Sequence, residues 1–444
     1  MLIPSSISKN TLKAYEYKGT NGGTIKSWDF VEWDAKIPNT LRQQCIECLA
    51  KYWLERPILE EIETEDKQML LEILPLNMPL EVTVSRIHEE VYWKKSFLTR
   101  WPKTQKKLPS AELKPLKSWK SIYCEAHLQK YLEHLQPDQY QAEKIKQLGE
   151  ICGPYVQSLE ISQMMSIRSG DSAKRIPLND ILMVLPGLKK LSLRFKQIHT
   201  ERGFFWNIMT TSLEDVALLA KGLETTHLHT LRITSSDIDG HKATELVMAL
   251  SNNEHLKILD FSRCKVGNEG ASAIGRFVQQ VPLEQVHLAS NRIDLRGLKT
   301  LAYALSLATS HVEVLDLSFN QFSDPEANVY IRVLTSRAHL KNLLISGCGL
   351  GHEFYLGRKL KILKTLNISN NRIGKEAGLK LLDSLKYNNS IMNLDIRICA
   401  IPSELEALIQ NEIHLNRKKF KEPLQPSEDL EKEDISWDEA LLLE

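Results

Sequence analysis

Long apolar runs are missing from this 444-residue chain: none approaches the roughly 18 residues of a membrane span, and the opening MLIPSSISKNTLKAYEY lacks a signal-peptide core. A charge excess is missing as well. Lys and Arg number 57 against 56 Asp and Glu, a net charge of +1, so no global field draws the chain to nucleic acid or to an anionic membrane, and any electrostatic message is local. Cysteine is scarce. Seven scattered cysteines, an odd count, make a poor disulfide framework and predict a reducing intracellular compartment. The motifs of chemistry are absent too: no G-x-x-x-x-G-K-[ST] loop, no G-x-S-x-G, no H-E-x-x-H and no paired C-x-x-C. Cys45 and Cys48 form a lone C-x-x-C inside a helical stretch, where a packed helix face is the expectation. The thirteen histidines are scattered, and no nucleophile comes with a base. The expectation is a chain that is not an enzyme and needs no cofactor and no metal.

What is present is a spacing, L-x-x-L-x-L-x-x-N/C-x-I. It runs through Leu256, Leu259, Phe261, Cys264, Val266; Leu283, Val286, Leu288, Asn291, Ile293; and Val312, Leu315, Leu317, Asn320, Phe322. It continues through Leu340, Leu343, Ile345, Cys348, Leu350; Leu363, Leu366, Ile368, Asn371, Ile373; and Ile391, Leu394, Ile396, Cys399, Ile401. Successive leading positions lie 27, 29, 28, 23 and 28 residues apart. This is the leucine-rich repeat: one strand and one helix per unit, stacked into an α/β solenoid, a horseshoe with parallel strands on the concave face and helices on the convex face. Two looser units precede it, with Leu188, Leu191, Leu193, Ile198 and Leu228, Leu231, Ile233, Ile238, carrying Lys196 and Ser236 in the Asn slot; Val156, Leu159 and Ile161 fit a first strand. The long interval before Leu228 holds Phe204, Phe205 and Trp206, an expected insertion within 200–212 that packs on the convex side or meets a partner. Cys264, Cys348 and Cys399 fall in the Asn slot and are expected to be structural.

Alternation assigns the concave face. The central column is Ser192, Arg232, Asp260, His287, Asp316, Leu344, Asn367, Asp395. The column before it is Lys190, Thr230, Ile258, Gln285, Val314, Asn342, Thr365, Asn393, and the column after it is Arg194, Thr234, Ser262, Ala289, Ser318, Ser346, Ser369, Arg397. Candidate partner-binding residues are Lys190, Arg194 and Arg232 at a basic end, Ile258, Asp260, His287, Val314, Asp316 and Leu344 in an apolar-acidic centre, and Asn367, Asp395 and Arg397 beyond it. A solvated inner surface without a ligand is the alternative.

Before the array the texture is helical. The expected domains are an extended segment 1–37, a helical domain 38–148, the repeats 149–416 and a basic-then-acidic tail 417–444. NTLRQQCIECLAKYWLE predicts a helix capped by Asn39 or Thr40, with Leu41, Cys45, Cys48, Leu49 and Tyr52 on its packed face. PILEEIETEDKQMLLEIL predicts a helix or helix pair, and PLEVTVSRIHEEVYWKKSFLTRW a third helix with Val84, Ile87, Val91 and Phe97 in one stripe. Nine basic residues (Lys94, Lys95, Arg100, Lys103, Lys106, Lys107, Lys114, Lys117 and Lys120) face one acidic residue, Glu112, between 94 and 120. They read either as a solvated linker or as a patch for an acidic protein surface such as tubulin tails. No RNA- or DNA-binding motif accompanies them. From Glu422 nine acidic residues stand against Lys432, after the basic Arg417, Lys418, Lys419 and Lys421. This tail reads as disordered, or as a segment ordered only on a partner with Trp437, Leu441 and Leu442 as anchors.

The stretch YWLERPILEEI…EDKQMLLEILPLNMPLEV…IHEEVYWKKSFLTRW, with Tyr92–Trp93–Lys94 and Leu98, Arg100 and Trp101 its most specific elements, resembles the N-terminal domain of the T-complex-associated testis-expressed protein 1 family, subunit 5 of the nexin–dynein regulatory complex. The repeats, with N-R-I-G at Asn371–Gly374, resemble the ribonuclease-inhibitor class. The resemblance implies a non-enzymatic scaffold in the axoneme of motile cilia and flagella, in the cytoplasm and cytoskeleton, held in a hetero-oligomeric assembly. Its implied partners are other subunits of that complex, with tubulin and the dynein arms as further candidates. Two alternatives remain at this level: an F-box-like ubiquitin ligase adaptor, from ILPLNMPLEV…YWKKSF before repeats, and a Ran-type GTPase-activating protein, from repeats with an acidic tail.

Overall fold

The computed structural model describes residues 40–102, 117–169, 172–196, 210–322, 325–336, 338–357 and 360–421. The chain divides into two compact units, one ending at Ile87 and one starting at His88. The break falls inside the stretch 38–148.

The first unit holds α1 (Leu41–Lys51), α2 (Thr64–Ile73) and α3 (Leu80–Arg86). Thr40 caps α1 through a capping box with Gln43. The buried line of α1 is Ile46, Ala50 and then Trp53, whose indole N–H donates to the Ile58 carbonyl at 3.3 Å. The expected packed face is therefore wrong: Cys45 and Cys48 are exposed, as are Leu49, Tyr52 and Leu41, the last at 77%. The helix has apolar residues on both sides, and the line Ile46, Ala50 and Trp53, spaced four and three residues apart, is the one that goes inside. Residues 57–63 form no helix, so the second predicted segment shrinks to α2.

The second unit opens with α4 (Glu90–Arg100), α5 (Trp119–His134) and α6 (Ala142–Cys152). The third predicted helix is thus two, α3 and α4, separated at Ile87–Glu89, and Val91 is 69% exposed. Tyr92, Trp93 and Phe97 of α4 meet Tyr123 of α5, Trp101 and Trp119 in an aromatic cluster with ring centroids 5.1–6.0 Å apart.

Nine strands follow in one parallel sheet whose order is the order of the chain: β1 (Ser158–Ile161), β4 (Lys190–Leu193), β5 (Thr230–Ile233), β6 (Ile258–Asp260), β7 (Gln285–His287), β8 (Val314–Asp316), β9 (Asn342–Leu344), β10 (Thr365–Asn367) and β11 (Asn393–Asp395). A short antiparallel pair, β2 (Ile167–Ser169) and β3 (Ser172–Lys174), sits between the first two. The returning helices are α7 (Leu178–Met183), α8 (Leu213–Leu223), α9 (Gly240–Ala249), α10 (Gly267–Val278), α11 (Leu295–Ser306), α12 (Ala327–Ser336) and α13 (Gly374–Lys386), closed by α14 (Ser403–Lys421). A sheet that advances one strand per unit buries each repeat only between its neighbours. Accordingly Leu259, Leu315, Leu317, Leu343, Leu366 and Ile368 are fully inaccessible. The 23-residue interval between Leu340 and Leu363 is too short for the usual return: among its described residues no helix forms, and buried Phe354, Leu356 and Leu360 fill the layer instead.

The Asn slot ties the units together. Asn320 Nδ2 donates to the carbonyls of Leu288 (2.9 Å) and Leu317 (2.8 Å) while its Oδ1 accepts from the amides of Asn291 and Ile293, both at 3.0 Å. Asn291 and Asn371 repeat the pattern. Cys264, Cys348 and Cys399 take the same slot, each thiol donating to the preceding unit at 3.3, 3.2 and 3.1 Å. Burial pushes the Cys264 and Cys348 thiols up to about 12, so they stay protonated and donating. Ser236 fills the slot earlier, accepting from the Phe195 amide at 2.9 Å.

Side chains engage main-chain groups at both ends of the sheet. At β1 the Glu125 carboxylate accepts the amides of Gln157 (3.0 Å) and Ser158 (2.8 Å), and Glu133, two turns along α5, accepts the amide and hydroxyl of Ser162. At β11 Asn416 of α14 donates to the carbonyls of Asn388 and Ile391, and Arg417 to that of Met392.

Candidate partner-binding surface of the repeat array

Two of the three inner columns stack in strand register. Thr230, Ile258, Gln285, Val314, Asn342, Thr365 and Asn393 pair one after another, as do Arg232, Asp260, His287, Asp316, Leu344, Asn367 and Asp395. Neighbours in a column are therefore about 4.8 Å apart. Lys190 and Arg232 are exposed, Arg194 half-buried; Ile258, Val314 and Leu344 are half-buried, as are Asp260, His287, Asp316 and Asn367, with Leu344 in the column of those four and Ile258 and Val314 in the column before it. Thr230 is buried.

The acidic members of the centre are engaged with the chain itself. Asp260 Oδ1 accepts the Ser262 amide at 2.9 Å, Asp316 Oδ1 the Ser318 amide at 3.0 Å, and Asn367 Oδ1 the Ser369 amide at 3.0 Å. These are short polar side chains bonding their own backbone two residues on, the standard reason for Asp and Asn at such a bend. Asp395 does the same for Arg397 and adds two bonds from its guanidinium at 2.9 and 2.7 Å. That guanidinium holds the Asp395 carboxyl below the usual carboxylate range. Arg232 reaches Asp260 across the strands at 3.8 Å. In the third column Ser346 and Ser369 share a hydroxyl bond at 2.9 Å. One oxygen of Asp260 and of Asp316 is thus turned to the chain's own backbone, and the accessible character of the centre is apolar flanked by polar and acidic groups.

The basic residues between 94 and 120 separate. Lys94, Lys95 and Arg100 are exposed on or at the end of α4, and Arg100 donates to the Tyr123 hydroxyl at 2.8 Å. Lys117 pairs with Glu125 at 2.7 Å. Lys120 is 4% exposed, its ammonium 4.4 Å from the centre of the Tyr155 ring and 5.7 Å from that of Trp93. It belongs to the interior and not to a surface patch. Lys103, Lys106, Lys107 and Lys114 lie outside the described residues, as do residues 1–37, Ile198, the aromatic trio 204–206 and the acidic tail.

A feature the periodicity did not single out runs along the strand exits. The residue before each Asn/Cys slot has a left-handed backbone: Ser235, Arg263, Ser290, Phe319, Gly347, Asn370 and Ile398, with φ between 52° and 62°. Main-chain bonds continue the ladder through this rim, from the Arg263 amide to Ala289 (2.7 Å), Ser290 to Ser318 (2.8 Å), Phe319 to Ser346 (2.7 Å), Gly347 to Ser369 (2.9 Å) and Asn370 to Arg397 (2.8 Å). Gly347 and Asn370 suit that conformation; Phe319 and Ile398, 56% and 78% exposed, do not. The Phe319 ring lies over Gly347, where a Cβ would come within 2.7 Å of it. The available signal was the Gly and Asn in one column.

No group of His, Cys, Asp and Glu among the described residues is arranged to hold a metal ion. A family model described as a leucine-rich repeat matches residues 252–275, 309–325 and 360–382. Dynein regulatory complex subunit 5 of Macaca fascicularis is 26% identical over 304 residues, 64% of this chain and 60% of that protein. The protein of the same name in Homo sapiens is 26% identical over 54% of this chain and 51% of its own length, and that of Chlamydomonas reinhardtii 25% identical over 46% and 49%. The chain thus spans half to three-fifths of the relatives it matches. The repeat model falls on the same units that the slot asparagines and cysteines join, and the chain is a leucine-rich-repeat protein related to dynein regulatory complex subunit 5.

Proposed function

We propose that the chain is a non-enzymatic scaffold subunit of the dynein regulatory complex in the axoneme of motile cilia and flagella. There it binds other subunits and helps link doublet microtubules and regulate dynein-driven motility. The observation that carries this reading is the conjunction of relatives of one name with an inner face of registered columns. Ile258, Val314 and Leu344 stay accessible on that face, and the nearby carboxylates are turned toward the chain's own backbone. Such a face is an apolar centre with a polar surround, the general anatomy of a protein interface. Arg232, Lys190 and Arg194 would set orientation at one end, and Asn367, Asp395 and Arg397 at the other.

The test is to express the tagged chain in cells lacking it, with Ile258→Asp and Leu344→Asp as variants. The expected result is axonemal fluorescence and co-purification of the other complex subunits with the wild type, and their loss with the double variant at unchanged thermal stability. Normal motility and an intact inter-doublet link in cells without the protein would overturn the reading.

A further inference from the structure

We propose that the chain's own acidic C-terminal segment, Glu428–Glu444, docks on the strand-exit rim between Arg263 and Ile398. This inference does not depend on the scaffold reading.

The rim carries unbalanced positive charge. Arg263, Arg292 and Arg372 are exposed there, and among the described residues no carboxylate pairs with any of them. The acids close by are already engaged: Asp237 by Lys265 at 2.7 Å and by Lys242 at 3.8 Å, Asp294 by the Arg296 amide at 2.8 Å, Asp395 by Arg397 at 2.7 Å. Phe319 stands between Arg292 and Arg372, and Ile398 lies one unit beyond Arg372; both are large apolar side chains held outward by a backbone conformation that their residue types disfavour. The surface therefore asks for an extended partner with carboxylates interspersed with large apolar groups.

The segment SEDLEKEDISWDEALLLE is such a partner. From Glu428 it carries Glu428, Asp429, Glu431, Glu433, Asp434, Asp438, Glu439 and Glu444 against Lys432, with Trp437 and Leu441–Leu443 among them. Its tether begins where α14 ends at Lys421, and α14 is fixed to the last repeat by Arg417 and Asn416. The 16 residues from Lys421 to Trp437 reach as far as roughly 55 Å when extended, whereas the five ladder steps from Arg263 to Ile398 cover about 24 Å. An intramolecular partner on so short a tether also has a high effective concentration, so modest contacts suffice to hold it.

The test uses the full chain with the photoreactive benzoylphenylalanine in place of Trp437, irradiated and mapped by mass spectrometry, with light and heavy isotopic copies mixed. The expected adducts join position 437 to residues around Phe319, Gly347 and Asn370 within one isotopic form. They disappear in Arg263→Glu/Arg292→Glu/Arg372→Glu and at high salt. They also disappear in Phe319→Asn, which the left-handed slot accepts as it accepts Asn370, so that a folded control remains if the triple variant is unstable. Adducts elsewhere, adducts between copies, no adduct, or a rim adduct that survives charge reversal would each overturn the proposal.

Discussion

Asn320 and Asn291 are joined across adjacent repeats: the Asn320 Oδ1 accepts the Asn291 main-chain amide at 3.0 Å, and one buried side chain thereby serves four backbone groups of the turn. Asn320→Ala strands those groups, each at about 1–3 kcal/mol when buried. The expected loss is at least about 3 kcal/mol in urea unfolding. Asn320→Cys should fall between alanine and wild type, because a thiol in this slot still donates to the preceding unit, as Cys348 does to Leu317 at 3.2 Å. Equal losses for alanine and cysteine would show that the slot is held by packing alone.

Leu315 lies at the middle of the sheet with no accessible surface. Leu315→Ala is expected to cost about 2–5 kcal/mol, read from the shift of the unfolding midpoint. Val314→Ala, one residue away on the half-buried inner face, should cost clearly less. Comparable losses at the two sites would mean that the strand register is different.

These two positions also show what was legible beforehand. The repeat core could be read because its apolar residues recur at fixed offsets and each is buried by the same neighbour geometry, from Leu256 to Ile401. The inner columns followed from strand alternation. The self-bonding of Asp260 and Asp316 did not, since it depends on how the chain bends two residues later. Helix α1 misled because Leu41, Leu49 and Tyr52 are as apolar as Ile46 and Ala50, and only packing ranks the two faces. The nine basic residues looked like one patch, yet Lys120 lies over Tyr155 and Trp93. The left-handed rim was nearly invisible because Arg, Ser, Phe and Ile share its slot with Gly and Asn.

Arg175 and Asp215 form an ion pair at 2.9 Å with the arginine side chain wholly inaccessible. Asp215 also caps α8 by accepting the Ser212 amide at 3.1 Å. Removing one member leaves the other charge buried without its counterpart, a loss of about 3–5 kcal/mol. Asp215→Ala should therefore destabilise strongly in thermal unfolding, whereas Glu214→Ala, at the exposed neighbouring position, should be near neutral. A mild effect at Asp215 would indicate that water reaches Arg175.

Acid should weaken the α5 region in two steps. Burial, with Arg100 adding to it, lowers His127 to about 4, below its ordinary value near 6.5. The unfolded chain then takes up a proton that the folded one refuses, so stability falls as pH drops from about 6.5 towards about 4. At Glu133 burial acts upward, but the bonds from Gln129, Lys130 and Ser162 together outweigh it and hold the carboxyl below its usual range. A depressed carboxyl stabilises fully above its unfolded value and loses that contribution as pH falls through the folded one. His127→Phe should flatten the first step in a melting-temperature profile and Glu133→Gln the second. Each substitution leaving its own step unchanged would contradict the assignment.

Ile398 sits at φ 58° with 78% of its surface exposed, so it pays backbone strain and gains little burial. A left-handed backbone costs an L-residue roughly 1–2 kcal/mol, more awkwardly for a β-branched one. In the chain ended at Lys421, where the segment proposed to dock on the rim is absent, Ile398→Asn should therefore raise stability by about 1 kcal/mol, since Asn370 occupies the equivalent position of the preceding unit without that penalty. Ile396→Asn, two residues earlier and buried, should do the reverse and destabilise. Chemical unfolding of the two variants beside wild type separates the signs. A destabilised Ile398→Asn in that shortened chain would mean that the left-handed position places no such penalty on isoleucine.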